Sequence, residues 1–193
     1  SDTDDDSDSS NTDLSAQALR VSITGAAGGF GQSSNHIDTM VSSLSATAGS
    51  AGFFMSEADS ITITQLSAMT TNRVKTDGTV TASSNTDASQ HDFISGGALV
   101  VQTTAGSLTV EEGDANDRGV SAAGNVLLSA GGVTSDLLIN ATIDSSAGHI
   151  SLNAAQDIVQ NANISTAAVG QTIEVTAANA LTMADHAQTM TND

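Results

Sequence analysis

The amino-acid sequence predicts an all-β protein, a parallel β-solenoid (β-helix) with three short strands per coil of about 21–24 residues, and three observations carry that prediction. Short alternating runs rich in Val, Ile, Leu and Thr, each led by Gly, Asp, Asn or Ser, follow one another from Leu14 onward, the pattern of half-buried strands between tight turns. Apolar positions recur in phase along those runs. The 193 residues contain no proline, where average usage of about 5% gives roughly ten, and a strand hydrogen-bonded on both sides cannot accept that residue.

The repeat emerges when the runs are superposed. Setting GNVLLSA (124–130) on GHISLNA (148–154) places Val126 on Ile150, Leu128 on Leu152 and Ala130 on Ala154, each 24 residues apart. The following copy, TIEVTA (172–177), places Ile150 on Ile173, Leu152 on Val175 and Ala154 on Ala177, each 23 apart. A second track joins Ile158 to Leu181 at 23, and a third joins Ile143 in NATID to Ile164 in NANIS at 21. Extra residues in the turn from Ala167 to Gln171 make up the difference. Three tracks imply three strands and three corners per coil, stacked like over like at a strand spacing of about 4.8 Å. Ile, Val and Leu then fill a narrow prism, Ala, Ser and Gly fit its corners, and Thr and Ser face water. Asn140 falls over Asn161, placed for an amide ladder. Seven or eight such coils make a rod on the order of 40 Å long.

In chain order, residues 1–13 (SDTDDDSDSSNTD) hold six Asp and no cation. They read as an acidic tail or linker, because they cannot bury enough apolar surface to offset the entropy of ordering them. The solenoid is expected over 14–193. Its glycine-rich start, VSITGAAGGFG (21–31), contains Thr24, Gly25, Gly29 and Gly31 in the T-G-x-x-x-G-x-G order of short-chain dehydrogenases, with Ile37, Met40, Val41 and Leu44 at helical spacing behind it. A chain without Tyr lacks that family's Tyr-x-x-x-Lys, however, and no βαβ alternation follows, so a glycine-rich corner is the expectation. Phe53 and Phe54 are expected in the widest part of the core; one of them facing outward would offer a seed for lateral contact. Residues 65–93 hold few large apolar side chains and collect Asn72, Arg73, Lys75, Asp77, Asp87 and His91. They are expected to leave the rod as one or two loops around the run GTVTA (78–82).

Composition narrows the function. Four Lys and Arg against 22 Asp and Glu give a net charge of -18, which leaves no basic stripe for nucleic acid or an anionic membrane. Zero Cys rules out disulfides and cysteine-ligated zinc. No apolar run of about 18 residues occurs, so no transmembrane helix is expected. The acidic start is not a basic-then-apolar signal peptide, which puts any export signal outside these residues.

Two acidic groups are candidate calcium ligands. Asp2, Asp4, Asp6 and Asp8 recur at alternate positions, as carboxylates converging on a hard cation do, yet the turn glycine and distant bidentate Glu of an EF-hand are absent. Glu111, Glu112, Asp114 and Asp117 form a second patch in EEGDANDRG, for which a polar turn is the default expectation. His36, His91, His149 and His186 show neither i, i+4 nor clustered spacing, so no histidine metal site is expected. No G-x-S-x-G elbow presents a nucleophile. A glycosidase carboxylate pair is the remaining enzymatic option, but a chain with four Phe, no Trp or Tyr and four cations lacks sugar platforms. No catalytic residue and no cofactor other than calcium is therefore assigned.

Stretches such as DLLINATIDSSAGHISLNAAQDIVQNANISTAAVGQTIEVTAANALTMAD (136–185) resemble the degenerate repeats of filamentous-haemagglutinin-like and other giant bacterial surface adhesins, in which G-x-I-x-L-x-A strands alternate with N-A-x-I-x-T strands. The segment ITGAAGGFGQSSNHIDTMVSSLSATAGSAGFF (23–54) resembles the glycine-rich coil before such arrays, so the likeness covers most of 18–185. It implies a right-handed β-helix, export to the cell surface, and service as a stalk, adhesin or extracellular filament, with no catalytic residues. The expected partner is another copy, head to tail, or the adjacent repeats of a longer chain, since solenoid ends expose unpaired strand edges. A calcium-binding rod module is the second expectation, and a polysaccharide-binding or polysaccharide-cleaving β-helix the third.

Overall fold

The computed structural model describes residues 12–70, 72, 74–80 and 86–192, so the Asp2, Asp4, Asp6 and Asp8 candidates lie outside the described residues. The first turns run through β1 (Leu14–Ser22), β2 (Gly29–Phe30), β3 (Ile37–Ala48), β4 (Gly52–Glu57), β5 (Ile61–Ile63), β6 (Met69–Thr70), β7 (Thr86–Asp87) and β8 (Phe93–Ser95). The next two coils are β9 (Leu99–Thr103), β10 (Leu108–Val110) and β11 (Arg118–Ala122), then β12 (Val126–Ala130), β13 (Leu137–Ile139) and β14 (Thr142–Ser145). Two more follow: β15 (Ile150–Ala154), β16 (Asp157–Gln160) and β17 (Ile164–Val169), then β18 (Ile173–Ala177), β19 (Ala180–Met183) and β20 (Thr189–Asn192). From β8 to β20 each strand pairs in parallel with the strand three places on, which is the signature of one coil stacked on the next. The result is a β-solenoid of about seven turns, with no helix among the described residues.

The expected columns are the observed ladders. Val126, Leu128 and Ala130 pair with Ile150, Leu152 and Ala154, and these with Ile173, Val175 and Ala177. Ile158 pairs with Leu181 and Ile143 with Ile164. Strand alternation sends every second side chain inward, and Leu128, Ile139, Ile143, Ile150, Leu152 and Ile158 are fully buried. Truncating such a residue leaves a void that rigid ladders cannot close. Leu152→Ala is expected to cost about 3 kcal/mol in denaturant unfolding, and Val175→Ala in the last coil about 1 kcal/mol, because Val175 is only partly covered.

The first turns depart from the regular repeat. β3 is a 12-residue strand that serves all three faces: Ile37–Thr39 pair with β4, Ser43 and Leu44 with β5, and Ala46–Ala48 with β8. β1 lies over it from Leu14↔Thr39 to Ser22↔Thr47. The period is blurred here because β3 rounds its corners without a glycine turn. The helical spacing of Ile37, Met40, Val41 and Leu44 belongs to this bent strand, and the dehydrogenase-like glycines form a corner: a Cβ on Gly49 would lie 2.4 Å from the Gly25 carbonyl oxygen.

Phe53 stacks on Phe30 at 4.4 Å and meets Phe93 edge-on at 4.6 Å inside the core. Phe54, on the opposite side of β4, is covered within the chain by His36, whose ring lies 5.9 Å away at the end of a short hairpin closed by Gln32 and Asn35. It is therefore no seed for lateral contact. The excursion expected at 65–93 leaves after β5 and returns at β8 as an antiparallel hairpin, with pairings Leu66↔Gln90, Met69↔Asp87 and Val74↔Val80. The run GTVTA accordingly contributes Val80 to this hairpin and not to the rod. At the tip, Asp77 accepts hydrogen bonds from the Thr79 hydroxyl and N–H, which hold its carboxyl below the usual range.

Candidate functional site

The acidic turn after β10 is built by the need to carry the chain around a widened corner. Leu137 lies over Leu108, 29 residues earlier, so this coil exceeds the 21–24-residue repeat. The surplus sits partly in residues 111–117, where Asp117 takes a left-handed φ of 60°. Its four candidate ligands go to different partners. Glu111 Oε1 accepts from Asn140 Nδ2 at 2.8 Å, Glu112 Oε1 accepts from the Asp117 N–H at 3.5 Å, and Asp114 Oδ1 accepts from the Asn116 N–H at 3.2 Å. Asp117 offers its carbonyl to the Thr142 N–H at 2.8 Å.

The amide ladder expected from Asn140 and Asn161 is present, with Asn161 Nδ2 donating to Asn140 Oδ1 at 2.7 Å. Glu111 extends it by one coil, which the 21–24-residue period hides because Glu111 and Asn140 are 29 apart. The ladder floors a shallow cleft of about 180 Å³, with Asp117, Asn163 and His186 along its walls. A cleft of this size and polarity, lined by no Phe, Tyr or Trp, offers a sugar hydrogen-bond partners and no broad stacking platform.

One cluster arises where no local spacing announces it. The excursion returns to the rod through Gln90, His91 and Asp92. Gln90 is fastened to β1: its side-chain amide donates to the Val21 carbonyl at 2.8 Å and accepts from Arg20 Nε at 2.8 Å. His91 and Asp92 instead face the acidic turn of the next coil. His91 Nδ1 lies 3.0 Å from Asp114 Oδ2 and 3.4 Å from Asp92 Oδ2, and Asn116 Nδ2 donates to Asp92 Oδ2 at 3.1 Å. Gly113 makes the approach feasible, since a Cβ there would lie 2.8 Å from that of His91. Among the described residues this is the group of potential metal-ligating side chains whose donor atoms come within 4.8 Å of one another. Only the pairing of the hairpin foot with a turn of the next coil, a tertiary event, brings it together.

The last coil presents an exposed apolar end face. Leu181 and Met183 stack over Ile158 and Gln160, which are 0% and 1% exposed, yet are themselves 50% and 47% exposed. Ile173 and Val175 are likewise only partly covered, on a coil with a strand ladder on one side only. Among the described residues the interior column of the rod thus reaches this end face partly exposed.

The chain matches no protein-family model, no curated protein and no solved structure.

Proposed function

We propose that the protein is a structural module of the cell exterior: a stiff β-solenoid segment of a bacterial surface filament or adhesin, extended end to end by a further coil from a second copy or from the same longer chain. The observation that carries this proposal is the bare end face. A coil whose inward tier has Leu181 and Met183 about half exposed and Ile173 and Val175 partly exposed presents, among the described residues, an unpaired strand edge and an apolar surface of matching period, and the complement to both is another coil. The resemblance to adhesin repeats supports the surface setting, and the acidic, sparsely aromatic walls suit a spacer better than a catalyst.

Leu181→Lys tests stacking without breaking the rod, because a half-exposed side chain contributes little to the isolated fold. Wild-type protein is expected to associate with rising concentration in analytical ultracentrifugation, more strongly at high salt, since screening relieves repulsion between copies each carrying -18. The variant is expected to sediment as a monomer with an unchanged far-ultraviolet spectrum. Wild-type protein that stays monomeric at every concentration and salt would remove the second-copy form of the proposal.

A further inference from the structure

We propose that His91, Asp92 and Asp114 form a binding site for a divalent transition-metal ion of the zinc class, stapling the foot of the excursion to the next coil. The donor set is one imidazole nitrogen and two carboxylates, which suits a borderline ion better than calcium, whose shell is made of oxygen. The separations agree. Ligands on a shared ion at bond lengths of about 2.1 Å lie about 3.0 to 3.4 Å apart in octahedral or tetrahedral arrangement, and His91 Nδ1 stands 3.0 and 3.4 Å from the two carboxylate oxygens.

A second observation is independent of that proximity. The Asp92 side chain is 3% exposed, and its Oδ1 has no hydrogen-bond partner. His91 Nδ1, also shielded from solvent, has none of acceptable geometry despite the two nearby oxygens. Buried polar atoms are ordinarily paired, and a buried carboxylate oxygen without a donor is costly. A cation bound between the three side chains satisfies the shielded nitrogen and the carboxylates at once. Among the described residues the ion-pair partner of both carboxylates is the His91 ring, so no lysine or arginine already performs that task.

The histidine distinguishes this site from the carboxylate-only calcium turn expected from sequence, in which Asp114 keeps company with Glu111, Glu112 and Asp117. It leaves the exposed surface of Asp114 for further ligands, including water, as a three-residue site requires.

Isothermal titration of the chelator-treated full chain with zinc chloride tests the proposal, with calcium chloride as the second titrant and cobalt(II) absorption as a report on nitrogen ligation. The expected result is one zinc per chain, at least tenfold weaker binding in both His91→Ala and Asp114→Asn, and no change in His149→Ala, whose ring bonds Thr172 elsewhere on the rod. No zinc binding up to about 1 mM, equal binding by wild type and His91→Ala, or calcium binding that needs Asp114 but not His91 would each overturn it. The outcome is independent of end-to-end association, which Leu181→Lys alters and these variants do not.

Discussion

Gly148→Val is expected to abolish cooperative folding of the last two coils, the largest effect of any single conservative-looking change in the rod. A Cβ at Gly148 would lie 2.2 Å from the Gly124 carbonyl carbon, 2.3 Å from the Asn125 nitrogen and 2.4 Å from the Gly124 oxygen. All three are backbone atoms of the coil above, held in turn by the Gly124 N–H bond to the Gly97 carbonyl at 3.0 Å. No flexible side chain exists to move aside, so relief requires lifting one coil off another. Overpacking a core typically costs about 1–3 kcal/mol; here the wedge also breaks ladder bonds, and a loss of about 4 kcal/mol or more is expected. Ser145 Oγ, which accepts from the Gly148 N–H at 2.8 Å and donates to the Gly124 carbonyl at 2.8 Å, would lose both partners. Hydrogen exchange resolved along the chain checks the result: amides of β15 to β20 should lose protection while those of β9 and β10 keep it. Uniform protection would show that the corner has slack the geometry denies.

Glu57→Leu is the second large change. The Glu57 carboxylate is 0% exposed and stands in for a missing rung of the ladder where β3 bends. It accepts from the Thr39 hydroxyl at 2.7 Å, from the Val41 N–H at 3.0 Å and, more weakly, from the Asp59 N–H at 3.4 Å. Leucine fills the volume but leaves the Val41 N–H buried without its acceptor and the Thr39 hydroxyl with only the Ser56 carbonyl at 3.2 Å, so about 3–4 kcal/mol is expected to be lost. Burial raises the Glu57 carboxyl above its ordinary value of 4.5, with the hydrogen bonds from Thr39, Val41 and Asp59 opposing the rise. The folded state therefore holds the proton more tightly than the unfolded one. Its contribution to stability is fully present below 4.5 and is lost as pH rises through the folded value. Glu57→Gln removes that titration, so the variant's melting temperature should fall less than the wild type's as pH increases from 4.5. Identical slopes would show that Glu57 is not the group responsible.

The columns from Val126 to Ala177 were legible because those coils keep nearly one length, 21–24 residues, and a nearly constant length turns stacking into spacing. Asn140 over Asn161 followed from the same arithmetic. The first turns were not legible, since β3 passes three faces with no glycine to mark a corner and the Glu57 side chain does the work of a turn. Phe54 illustrates a different limit: its outward direction follows from alternation with Phe53, but the hairpin carrying His36 that covers it has no periodic signature. The acidic turn was visible as a patch, but its partners were not. Asp114 meets His91 only because the excursion folds back, and Glu111 meets Asn140 across an enlarged coil.

The hairpin between β5 and β8 enters and leaves the rod at neighbouring points, while the β5–β10 and β8–β11 ladders continue beneath it. Decoration and shaft are thereby separate variables: the segment beyond Leu66 and Gln90 can lengthen, shorten or change its surface chemistry without altering the pitch of the coils or the register of any column. A lineage, or an engineer, could vary what this protein displays to its surroundings while leaving untouched the scaffold that displays it.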